Sequence, residues 1–209
     1  PHAVVVQGER ALVGGIFGVE ALAGYTAAFM VAMVPGLIAS RAGQSLILPL
    51  LASSADNEKR FTSRFTITTE IVVISAAGFL AMFVAAGGAI VATAFGKPYA
   101  DMGTVVAWLA CMWALRSIAA VPAYALIARG HTQPLLPSAL IRALALLPAA
   151  WAALTGYGLA TIAAIGVAGE CASLLYLCSR LGSAEHARIL LSRLVYLIPA
   201  AAIASLTIH

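Results

Sequence analysis

The chain has 209 residues, 62% of them hydrophobic and only 10% charged, with twelve Lys and Arg against eight Asp and Glu. A soluble domain carries about 25% charged residues, so this chain lacks the polar surface of a water-soluble globule and reads as an integral membrane protein. The net charge of +4 matters less for its size than for its placement, and no nucleic-acid partner is expected.

The apolar segments are too long for transmembrane β-strands, and their Ala, Leu and Gly content suits helices. The expected fold is therefore all-α, a polytopic transmembrane bundle. Cys111, Cys171 and Cys178 all fall in apolar runs without CxxC spacing. They read as buried thiols, with no metal, cofactor or disulfide framework indicated. The chain begins at Pro1 with no basic stretch before its first apolar run, which is expected of a piece of a longer protein rather than of a signal peptide.

The first apolar run, roughly His2 to Val19, contains Glu9 and Arg10. A longer one follows from Leu22 to Ser54, interrupted by Pro35 and Pro49 and carrying one charge, Arg41. About 20 residues suffice to cross a bilayer, so this helix has length to tilt and bend. The segment Ser53 to Arg64 is the most charged in the chain. Ser53 and Asp56 are spaced as a capping box that restarts a helix. Phe61 and Phe65 would share one face and Arg60 and Arg64 another, as in a turn at the lipid headgroups.

A third span is expected from about Phe65 to Phe95, broken by Gly96-Lys97-Pro98. The fourth runs from about Met102 to Ala128 and holds Trp108, Trp113, Arg116, Pro122 and Tyr124. The fifth covers about Leu135 to Leu154, and a tight turn at Thr155 to Gly158 leads into a sixth that ends near Cys178. The polar segment Ser179 to Arg193 precedes a last apolar run. The total is seven spans in a single transmembrane lobe, residues 1–209.

Lys and Arg cluster in alternate loops. Lys59, Arg60 and Arg64 follow span two, Arg129 follows span four, and Arg180, Arg188 and Arg193 follow span six, while the other loops offer only Lys97. Basic loops face the cytoplasm, so the first helix should begin there. No P-loop, GxGxxG, HExxH or nucleophile elbow occurs. An ATP-driven pump is unsupported, and no paired acids or Ser/His partners point to an enzyme.

Candidate functional residues are those that are costly in lipid. Arg10, Arg41, Arg116 and Arg142 fall within predicted spans, against Glu9 and Glu170 at comparable depth. A central arginine costs about 2.5–3.5 kcal/mol on insertion scales, so each needs a partner or a wet cavity. A cavity lined by them would attract an anion, and guanidinium matches phosphate well. For Arg10 beside Glu9, and for Arg142 near Pro137, snorkelling or pairing explains the charge equally well. Trp113, Arg116, Ser117, Ala120 and Tyr124 follow helical spacing. That stripe reads either as a surface for sugar stacking and phosphate pairing or as a helix-packing face. Arg41, Gln44 and Ser45 share a face of the long helix. Glu170, like Glu9, is a candidate cation-coupling carboxylate or simply the counter-ion of an arginine.

The order of these features resembles the C-terminal half of the polysaccharide- and oligosaccharide-lipid flippases, within the multidrug/oligosaccharidyl-lipid/polysaccharide exporter superfamily. The resemblance rests on several stretches: Gln7-Gly8-Glu9-Arg10 through Gly14; Leu22-Ala23-Gly24-Tyr25 through Ala28; Pro35; Ile47-Leu48-Pro49-Leu50 through Ser53; Phe95-Gly96-Lys97-Pro98-Tyr99-Ala100-Asp101; and Ala114-Leu115-Arg116-Ser117 with Ala128-Arg129-Gly130. It implies a lobe of the multidrug-exporter type whose N-terminal partner lobe lies elsewhere in a chain of twelve or fourteen helices. The cargo it implies is a polyprenyl-diphosphate-linked sugar, moved across a bacterial inner membrane by alternating access. The substrate-binding residues would be Arg116, Arg41, Arg10, Arg142, Gln44, Ser117, Trp113 and Tyr124, with Glu170 and Glu9 as ion-coupling candidates. Two alternatives are a multidrug/cation antiporter of the same superfamily, which calls for a cavity rich in acids, and a membrane-embedded enzyme of the polysaccharide pathway, which calls for large outer loops.

Overall fold

A computed structural model describes residues 2–197, with side chains described throughout except at 2–14, 17, 19–21, 39 and 40. The described residues form seven helices and no strand: α1 (His2–Ala52), α2 (Glu58–Phe95), α3 (Gly103–Ala128), α4 (Leu135–Leu144), α5 (Leu146–Leu154), α6 (Leu159–Ser179) and α7 (Ala184–Arg193). Short 3₁₀ turns at Lys97–Met102 and Leu194–Leu197 complete them. α1 is two helices in sequence, because Gly18 breaks it at φ 86° and ψ 178°, a backbone that a residue with a Cβ rarely adopts. The first and second apolar runs therefore meet where a boundary was expected.

Among the described residues, five stretches are long and apolar enough to cross a membrane: Leu22–Ala52, Glu58–Phe95, Lys97–Ala128, Leu135–Leu154 and Leu159–Ser179. These match spans two to six. The first run is helical, but its side chains, including Glu9 and Arg10, lie outside the described residues. Most of the seventh run lies beyond residue 197.

Local chemistry sets the ends of these helices and departs from expectation at three places. α2 is capped by Asn57, whose Oδ1 accepts from the Arg60 N–H at 3.0 Å. The expected Ser53–Asp56 box does not form. Ser53 and Ser54 lie in the turn just after α1, and their hydroxyls bond back to the Leu50 and Leu51 carbonyls of its last turn. Arg64 reaches across to the Leu50 carbonyl at 2.8 Å, satisfying an acceptor the helix end leaves open. Phe61 and Phe65 do share a face, but it is buried rather than turned to headgroups, because α7 covers it.

The third departure is the fifth span, which divides at Ala145 into α4 and α5. Pro148 has no N–H to offer the Leu144 carbonyl, so the helical ladder lapses there.

α3 is the hub, packed on α1, α2 and α6 and buried along most of its length. Two close approaches set the spacing of the bundle. Gly36 of α1 lies under the Trp113 indole, where a Cβ would come within 2.7 Å of the ring. Gly169 of α6 lies against the α4–α5 joint, where a Cβ would meet that of Ala145 at 2.6 Å. Small residues at such crossings let membrane helices gain contact that hydrophobicity does not provide in lipid.

The outward faces differ from helix to helix. Ile67, Ile71 and Ile74 make an exposed apolar stripe on α2, and Leu140, Leu144, Leu147, Trp151 and Leu154 make another along α4 and α5. Both follow helical spacing and suit acyl chains. Ion pairs gather the basic segments at one end of the bundle. Arg129 Nη2 lies 2.6 Å from Glu58 Oε2, and Arg193 Nη2 lies 2.7 Å from Glu70 Oε1.

Candidate functional site: an arginine–glutamate–arginine cluster and a polar face of α1

The predicted site residues divide into two groups. In the first, Arg116 of α3 and Arg142 of α4 converge on Glu170 of α6. Arg116 donates from Nε to Glu170 Oε1 at 2.8 Å and also from Nη2 to the same oxygen. Arg142 Nη1 stands 3.7 Å from Oε2, within ion-pair range but too far for a hydrogen bond. The Glu170 side chain is 2% exposed, against 12% for Arg116 and 24% for Arg142. A gap of about 10 Å³, the size of one water, adjoins the three charged groups and is walled by Met112, Ala145, Ala149 and Gly166. Oε2 has no hydrogen-bond partner among the described residues. Among the described residues, two guanidiniums meet one carboxylate here.

Each element contributes to this arrangement for a local reason. Gly169 lets α6 come against the Ala145 joint, which brings the next residue, Glu170, level with Arg142 one turn before the joint. Pro148 sets the position of that joint. Arg116 sits 4.9 Å from the Trp113 ring centroid in cation–π contact, with the indole in turn anchored on Gly36. The expected stripe of α3 therefore splits. Trp113 and Tyr124 turn to the glycines of α1, Gly36 and Gly43, Ser117 bonds back to the Trp113 carbonyl at 2.9 Å, and Arg116 turns to α6. The packing alternative describes Trp113, Ser117 and Tyr124, and the aromatics do not form an open sugar platform beside Arg116.

The second group is Arg41, Gln44 and Ser45, all exposed on α1. Gly36 and Gly43 turn the other face of α1 to α3, so this group points away from the hub. Among the described residues Arg41 has no ion-pair partner. It is eleven residues before the end of α1, or about 16 Å along the helix at 1.5 Å per residue, within the stretch Leu22–Ala52 that is long and apolar enough to cross a membrane. The structure does not bring Arg41 and Arg116 to one hollow. One faces out of the bundle and the other is matched by a glutamate.

The polar Ser179–Arg193 segment holds a third cluster that sequence reasoning missed. His186 is buried between Phe61 and Phe65, with Nε2 3.0 Å from Thr62 Oγ1. The Phe61/Phe65 spacing was the signal available for it. Nothing in the sequence named the ring that would fill the space between them.

Residues 2–104 match the family model described as "Polysaccharide biosynthesis protein". That match over residues 2–104 supports membership of the polysaccharide biosynthesis protein family. The α1 polar face and the Gly96–Asp101 turn lie inside the matched stretch, while Arg116, Arg142 and Glu170 lie beyond it. No curated protein and no solved structure matches the chain. Family and fold together make it an integral membrane protein of polysaccharide synthesis or export.

Proposed function

We propose that the chain is one lobe of a flippase that carries a polyprenyl-diphosphate-linked oligosaccharide across the bacterial inner membrane for polysaccharide export. The other lobe would come from elsewhere in the same protein, and the two would rock about a central cavity in alternating access. In this reading the end bearing the basic loops is cytoplasmic, and the isoprenoid tail stays among membrane lipids while the headgroup crosses.

The observation that carries this reading is the outward face of α1. The outward stripe of α4–α5 is apolar and that of α2 is uncharged, with the small Ser75 beside its isoleucines, as acyl chains require. That of α1 carries a guanidinium, a carboxamide and a hydroxyl at Arg41, Gln44 and Ser45, with no carboxylate paired to Arg41 among the described residues. Facing lipid, Arg41 alone would cost about 2.5–3.5 kcal/mol. Facing a hydrated cavity between two lobes it costs little and offers a phosphate a forked donor, with Gln44 and Ser45 to bond sugar hydroxyls. A cation antiporter is disfavoured at Glu170, which Arg116 already engages; Glu9, the other candidate carboxylate, lies outside the described side chains.

The test is Arg41→Ala and Arg41→Lys in the full-length protein, scored by complementation of polysaccharide export at matched protein level. The reading expects loss of export with alanine, partial retention with lysine and unchanged membrane insertion. Normal export by Arg41→Ala at normal abundance would overturn it.

A further inference from the structure

The polar segment after α6 is built into the bundle. α7 lies along the first turns of α2 and runs in the same chain direction, since His186 meets Phe61, Thr62 and Phe65 while Arg193 meets Glu70. α2 has 38 residues and is about 57 Å long, far more than the hydrocarbon core, so these charged first turns stand at or beyond the membrane surface. His186 is the residue that seats α7. Its ring is 1% exposed and packs edge-on to Phe61, at 5.6 Å and 85°, and to Phe65, at 5.0 Å and 74°. The Thr62 hydroxyl bonds Nε2, and Leu190, one turn on, is fully buried beside it.

The charged groups that face the ring come from three elements. Glu58 of α2 places Oε1 3.9 Å from Nε2, Arg129 stands at the end of α3, and Glu185 is on α7 itself. Arg129 is paired with Glu58 and lies 3.9 Å over the Phe61 ring. The one carboxylate within reach of the imidazole is therefore already matched by a guanidinium. An apolar slot with one hydroxyl and a neighbouring arginine accepts a neutral imidazole and rejects an imidazolium.

We propose that His186 is the pin of a proton-sensitive latch that holds α7 against α2 and the end of α3, closed while the imidazole is neutral and loosened when it takes a proton. Burial first, and then Arg129, lower the affinity of the seated ring for a proton, while Glu58 and Glu185 oppose this without reversing it. The seated form binds fewer protons than the released form, so docking is fully present above the ordinary imidazole value of about 6.5 and weakens as pH falls below it. A seat that wholly excludes the proton loses about tenfold in docking constant between pH 7.5 and pH 5.5 by that linkage. α7 leads from α6 into the chain that follows, so the latch governs how that segment is tied to the basic end of the bundle. It acts whatever cargo the protein moves.

Hydrogen–deuterium exchange on the full-length protein in detergent or nanodiscs tests this, with rates corrected for the intrinsic pH dependence of exchange. Peptides spanning 184–193 should lose protection between pH 7.5 and pH 5.5, by up to about tenfold, while peptides within 103–128 hold theirs. His186→Gln and His186→Phe, neutral at both pH values, should abolish the pH dependence, with phenylalanine keeping the ring packing. Constant protection of 184–193 in the unaltered protein, or the same acid-induced loss in both neutral variants, would overturn the proposal.

Discussion

Replacing Glu170 with Gln probes the bundle where its charges are most tightly matched. The substitution preserves size and leaves Arg116 and Arg142 facing one another without the carboxylate that lies between them. Removing one partner of a buried ion pair costs about 3–5 kcal/mol, and both hydrogen bonds that Glu170 accepts come from Arg116. Charge-assisted bonds of this kind contribute about 1.5–3 kcal/mol each, so Arg116→Met should cost about as much as Glu170→Gln. Arg142 stands at 3.7 Å, makes no hydrogen bond to the carboxylate and is 24% exposed, so Arg142→Met should cost only about 1 kcal/mol. Chemical unfolding of the full-length protein in micelles measures each value, and double-mutant cycles separate the two pairs. The Arg116–Glu170 coupling should exceed the Arg142–Glu170 coupling by about 2 kcal/mol. Equal couplings, or a Glu170→Gln protein as stable as the parent, would refute the assignment of the carboxylate to Arg116.

Two further outcomes follow from the geometry, besides those given above for Arg41 and His186. Gly36→Ala should destabilise the protein by about 1–3 kcal/mol through overpacking, because the new methyl meets the Trp113 ring at 2.7 Å. Adding Trp113→Phe should recover part of the loss in the same unfolding assay. For topology, single cysteines at the exposed positions Asp56 and Tyr157 should react with an impermeant thiol reagent from opposite sides of the membrane. Labelling of both from one side would overturn the span order.

The helices themselves were legible in the residue order because their causes are local. Runs of Ala, Leu, Val and Ile longer than a bilayer needs have to be helices. Gly96-Lys97-Pro98 and Thr155 to Gly158 have to interrupt them, and the alternation of Lys and Arg between loops already grouped the segments that Arg129–Glu58 and Arg193–Glu70 join at one end. Even the depth of Arg41 could be counted from its distance to the charged loop.

Only the tertiary structure decided which way each polar group turns. Arg116 and Glu170 are 54 residues apart, and their meeting depends on the rotation of α3 set by Trp113 on Gly36 and on the approach of α6 set by Gly169 at Ala145. A change of one residue in either crossing would turn Arg116 elsewhere. Likewise the Phe61/Phe65 face showed that something apolar would be covered, but not that an imidazole from 124 positions away would cover it. Periodicity says which residues share a face of a helix. Which neighbour that face meets is fixed by how side-chain volumes interlock between helices, and no single segment contains that information.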